Sequence, residues 1–180
     1  FHEFGHALHG LSSAVTYPRF SANDFHTFGR IQNDNDQWQV ENGALIGLED
    51  LKQESPYVRG ELWNFLVKTN NMGFDGYRWD AAKHVPRWYW SDHVLNNVRS
   101  WGKYSFGEVF SGDVGYLRSY VATGMAVTDY ALYFTLRDNF KLGGNLAALD
   151  GAGVAGIDGA AALNFVQKHG LGPPPDRVVR

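Results

Sequence analysis

The sequence predicts an α/β chain whose strands run parallel, with helices outside a sheet or barrel. Three observations carry that expectation. From residue 56 onward, short apolar runs of strand length alternate with helix-length stretches. Several of those runs close on a polar residue, namely Asp80, Glu108 and His169. No repeat of solenoid period interrupts the alternation.

Taken in order, residues 1–14 read as helix, with alanine, leucine and several histidines. Residues 16–55 are rich in Asn, Asp and Gly and hold only short apolar runs, so they read as a loop-dominated segment. Ser55-Pro56 is a helix start, with a hydroxyl N-cap and proline at the first helical position. Val58, Leu62, Phe65 and Leu66 then make one buried stripe, which Asn70, Asn71 and Gly73 stop. GFDGYRWDAAKHV reads as a short strand entering a turn, and residues 86–100 as helix. YSFGEVF is a second strand, followed by a helical stretch around 113–122. MAVTDYALYF reads as a third strand or strand plus loop. A Gly/Ala-rich run then leads to ALNFVQKHG, a fourth strand.

The bulk numbers exclude several classes. A chain of 180 residues with 44% hydrophobic and 19% charged residues can bury a sizeable single core. A net charge of -3 with no basic block argues against a nucleic-acid or anionic-membrane partner. With no cysteine there is no disulfide framework, thiolate metal site or thiol nucleophile. No apolar run approaches a membrane span, and the first residues lack the basic-then-apolar order of a signal peptide. Aromatic residues make up 15% of the chain, including Trp88, Tyr89 and Trp90. Most are expected in the core, and some could stack on sugar rings.

The strand ends carry the chemistry. Arg78 and Asp80 are two apart and share a strand face. Glu108 ends the next strand, after a glycine that allows close approach. In a β/α barrel, polar residues at the C-terminal ends of strands read as catalytic. A guanidinium keeps a neighbouring carboxylate ionised as a nucleophile, and more apolar surroundings keep another protonated as an acid. Glycoside hydrolysis needs that division. A structural Arg78–Asp80 ion pair with a solvated Glu108 is the competing reading.

GFDGYRWDAAKHVP resembles the second conserved stretch of the α-amylase family of glycoside hydrolases, GEVF its third and FVQKHG its fourth. QWQVENGALIGLEDL resembles the segment closing the inserted domain B, and SANDFHTF also fits that domain. The resemblance covers residues 16–180 in the family's order. It implies an incomplete (β/α)8 TIM barrel, about strands 4 to 7, preceded by a loop-rich domain B segment. Residues 16–55 would form that segment and residues 56–180 the partial catalytic barrel. The implied substrate is α-1,4-glucan, cleaved with retention, with Asp80 as nucleophile and Glu108 as acid. Arg78, Lys83, His84 and His169 are implied on the substrate. A structural calcium is implied at Asp50 and the backbone carbonyl of His84. The family also implies an extracellular location. The fourth stretch departs from the pattern, since Gly170 stands where an aspartate is expected and Lys168 where an asparagine is. Weak or absent turnover is therefore expected, and a non-catalytic carbohydrate-binding remnant is the alternative.

The opening FHEFGHALHG contains H-E-x-x-H at His2, Glu3 and His6, whose helical spacing would set two imidazoles on one metal. It resembles the zinc helix of thimet-oligopeptidase-like metallopeptidases over ten to fifteen residues. Thr27 falls about where that family's third ligand, a glutamate, belongs. Zinc is therefore not expected, and residues 1–15 are set apart as a leader matching nothing downstream.

Overall fold

The computed structural model describes residues 19–166. Its centre is one parallel sheet of β1 (Gly76–Trp79), β2 (Tyr104–Gly107), β3 (Ala126–Thr128) and β4 (Ala162–Leu163), in that spatial order. In register, Trp79 faces Gly107, Gly107 faces Val127, and Val127 faces Ala162. Sequential strands are therefore spatial neighbours throughout, as they are along the wall of a β/α barrel. The fold is that of an incomplete barrel, as the sequence predicts.

The helices follow from their caps. The Asp36 carboxylate accepts from Trp38 N and Gln39 N and starts α1 (Gln37–Asn42). Ser55 Oγ accepts from Val58 N and starts α2 (Pro56–Asn71). Val58, Leu62 and Leu66 are buried along α2, but Phe65 is 39% exposed, at the edge of the stripe. The run α3 comprises Arg87–Tyr89, a π-helical Trp90–Leu95 and Asn96–Ser100. Asp113 caps α4 (Val114–Val121), accepting from Tyr116 N at 2.8 Å. The core packs Leu62 and Leu66 of α2, Trp90 and Val94 of α3 and Leu117 of α4 around the sheet. Tyr89 and Trp90 belong to it, whereas Trp88 is 40% exposed.

Two elements differ from the sequence expectation. In MAVTDYALYF only Ala126–Thr128 is strand, and α5 (Tyr130–Asn139) follows at once. The reason is Asp129, fully buried, whose carboxylate caps Leu132 N at 3.0 Å and also accepts from Ala155 N at 2.8 Å. That cap overrides the strand preference of the aromatic and β-branched residues around it. Of the fourth expected strand, the described residues 162–166 contribute Ala162 and Leu163 to the sheet, with one further bond from Asp129 N to Leu163 O. Residues 19–55 are loop-dominated as expected, with α1, a turn at Ala22–Asp24 and isolated bridges such as Phe25–Leu51.

Gly107 is the tightest point of the sheet. A Cβ there would lie 2.1 Å from Met125 Sδ and 3.0 Å from the Ala82 methyl, so only glycine lets β2 close on its neighbours. Among the described residues, no helix is long and apolar enough to cross a membrane.

Candidate active site

The C-terminal ends of β1 and β2 meet through reciprocal backbone bonds. Glu108 N donates to Trp79 O at 2.8 Å, and Ala82 N donates to Glu108 O at 2.9 Å. Ala81 between them takes a left-handed conformation, φ 45°, which turns the chain sharply after Asp80. This knot sets Asp80 and Glu108 side by side at the strand ends.

One guanidinium holds both. Arg78 Nη1 lies 2.6 Å from Asp80 Oδ1, and Nη2 lies 2.9 Å from Glu108 Oε2. Asp80 is the more open of the two, with 37% of its side chain exposed against 14% for Glu108. Tyr130 Oη donates to Glu108 Oε1 at 2.9 Å, and Ala81 N donates weakly to Oε2 at 3.4 Å. The expectation of apolar surroundings for the acid is therefore corrected. Glu108 sits among a guanidinium, a phenol and a backbone amide, because Arg78 reaches across the strand pair rather than serving Asp80 alone.

Both carboxylates open into a cleft of about 820 Å³ that also takes in Lys83, His84, Phe110 and Tyr116. Lys83 Nζ lies 6.0 Å over the Phe110 ring. His84 is buried, with its Nδ1 3.1 Å from Val40 O, so the ring is tied to α1. Asp34, Asn35 and Gln37 form a polar wall contributed by the loop-rich segment. Four sequence candidates, Asp80, Glu108, Lys83 and His84, thus line one cleft, with Arg78 bridging the acids. His169, with Gly170, and the zinc candidates His2, Glu3 and His6 lie outside the described residues.

Asp50 stands apart. It is buried, with its Oδ2 2.7 Å from His26 Nδ1, and His26 Nε2 reaches Glu54 at 3.0 Å. Burial pushes the Asp50 carboxyl up to about 6. Burial alone would pull the His26 imidazole down, but Asp50 and Glu54 outweigh it and raise its pKa. Gln53, hydrogen-bonded to Asp50, keeps its Oε1 buried without a partner. These are hard oxygen donors of the kind calcium takes, but calcium asks for about six to eight. Among the described residues no group of three His, Asp or Glu side chains could hold a metal. The donors present are therefore a partial set, and no chemical step is routed through a metal.

Sequence reasoning missed Tyr130, because it lay inside an expected strand. The available signal was Asp129 before a run that also has helical spacing.

No family model matches the sequence. Relatives do. The chain is 34% identical over 165 residues to an α-amylase of Thermomonospora curvata, covering 87% of this chain and 27% of that protein. It superposes on the α-amylase of Geobacillus thermoleovorans complexed with acarbose with a TM-score of 0.59 and 35% identity, over 66% of this chain and 27% of that one. The chain belongs to the α-amylase family. An α-amylase from Malbranchea cinnamomea gives a TM-score of 0.66 at 27% identity, over 80% of this chain and 31% of that one. The chain spans about a third or less of the curated α-amylase-family relatives it matches. The zinc-peptidase reading of His2, Glu3 and His6 gains no support from these relatives.

Proposed function

We propose that this chain carries the nucleophile and the acid of a retaining glycoside hydrolase acting on α-1,4-glucan. The observation behind the reading is the single guanidinium of Arg78 gripping Asp80 and Glu108 at adjacent parallel strand ends. Two carboxyls held that close suit double displacement, where the second acts as nucleophile and no water need fit between them. Asp80 attacks the anomeric carbon, while Glu108 gives its proton to the departing glycosidic oxygen. The glycosyl–Asp80 ester forms as the C–O bond breaks. Glu108, now ionised, takes a proton from water, whose oxygen attacks the anomeric carbon and releases Asp80. Arg78 favours the charged nucleophile at the start and at the end. Lys83 and His84 border the sugar beyond the scissile bond, and His169 is proposed at the scission point.

Gly170 leaves out a carboxylate expected to steady the oxocarbenium-like transition state, so turnover is slow. Calcium, bound through Asp50 and the His84 carbonyl, is proposed as structural, and a secreted location accompanies the family reading. The test is reducing-sugar release from soluble starch with calcium present. Release from the chain should vanish in Glu108→Gln and Asp80→Asn and rise in Gly170→Asp. Release that survives both acid variants would overturn the assignment. Gly170 also favours a second reading, a glucan-binding remnant. Maltooligosaccharide binding without release, unchanged by Gly170→Asp, would establish that reading instead.

A further inference from the structure

The Glu108 carboxyl is fixed at both oxygens by different means. Oε2 faces Arg78, a guanidinium shared with Asp80. Oε1 faces Tyr130 Oη at 2.9 Å. Tyr130 is among the best-held side chains in the protein. It is fully buried at the first position of α5, directly after the Asp129 cap. Phe110 packs edge-on to its ring at 4.8 Å and Phe165 at 4.9 Å, and Phe134 lies at 6.1 Å. The three rings hold Tyr130 in place with its hydroxyl against Glu108.

We infer that Tyr130 is the positioning residue of the acid: its caged hydroxyl fixes the Glu108 carboxyl and loosens that carboxyl's hold on its proton. The inference rests on the glycosidase reading for its catalytic meaning. The contact itself does not. A phenol donating to a carboxylate favours the ionised form, so removing it makes Glu108 keep its proton to higher pH. The phenol can serve throughout the working range, since burial pushes Tyr130 up to about 12, with Arg78 pulling against that rise.

The experiment is Tyr130→Phe, which keeps the ring and removes one oxygen. The carboxyl of Glu108 is followed by carbon NMR of the chain labelled at glutamate, assigned by its loss in Glu108→Gln. Its titration midpoint should rise by about half to one pH unit in Tyr130→Phe. In starch hydrolysis, the alkaline limb of kcat/KM should move up with it. At the wild-type optimum kcat should fall about tenfold with KM nearly unchanged, the size expected for one hydrogen bond to a charged group. An unmoved midpoint overturns the inference. If Tyr130→Phe does not fold, the Cζ signal of Tyr130 decides. It should titrate with Glu108 in the wild type and stay flat in Glu108→Gln. A signal flat in both overturns the inference. Hydrolysis indifferent to Glu108→Gln defeats the glycosidase reading alone and leaves the NMR outcome to judge Tyr130.

Discussion

Replacing Gly107 by alanine tests how tightly the sheet is packed beside Glu108. The added methyl meets Met125 Sδ at 2.1 Å and the Ala82 methyl at 3.0 Å, and both neighbours are buried. Neither side offers room, so Met125 must leave its rotamer or β2 must shift. Overpacking of this kind costs about 1–3 kcal/mol. Alanine also narrows the unfolded ensemble, which returns about 0.4–1 kcal/mol. The net is a loss of about 1–2 kcal/mol, or about 0.5–1 M in the urea midpoint for a chain of this size. Met125→Ala alone leaves a cavity and costs about 2–5 kcal/mol. In the double variant the new methyl occupies part of that cavity. The loss should therefore fall short of the sum of the singles by about 1 kcal/mol, read from a double-mutant cycle in urea. A Gly107→Ala midpoint equal to or above wild type, or strict additivity, would refute this account of the sheet.

Further outcomes follow from other contacts. Asp129→Ala removes the α5 cap and the anchor for Ala155, and should cost about 1–3 kcal/mol in thermal or urea unfolding. Arg78→Lys cannot reach both carboxylates with a planar fork, so any starch hydrolysis should drop by about a hundredfold while the urea midpoint barely moves. His26→Ala leaves the buried Asp50 without its imidazole and should cost about 1–3 kcal/mol, measured the same way. Burial raises the pKa of Tyr89, Tyr120 and Tyr130 in the folded state. The fold therefore holds protons that the unfolded chain releases near pH 10, and stability should decline as pH climbs past that point. Absorbance titration should show those three tyrosines silent until the protein unfolds.

The cluster of polar residues at the strand ends was legible because it depends on local spacing. Arg78, Asp80 and Glu108 sit within or beside short strands whose boundaries the sequence marks, and Gly107 announces its own close approach. The partnership of Arg78 was not legible. Spacing pairs it with Asp80, but only the register of β1 against β2 shows that the guanidinium also reaches Glu108. Tyr130 was hidden for a different reason. TDYALYF suits a strand by residue preference, and a long-range bond from Asp129 to Ala155 helps the helix win. Asp50 lies in the loop-rich segment, and its contact with His26 spans 24 positions, which no local pattern encodes.

The cage around Tyr130 ties α5 to the segment just after β4. Phe165 lies just beyond β4, a strand of only two residues, and packs on both Tyr130 and Tyr133. A strand of so few residues is where amide protons normally escape early. Because its aromatic wedge also packs on the Tyr130 ring that holds Glu108, the proposed glucan binding in the cleft should slow deuterium uptake at residues 162–166. By the same reciprocity, whatever clamps that strand against β3 should tighten the grip on sugar.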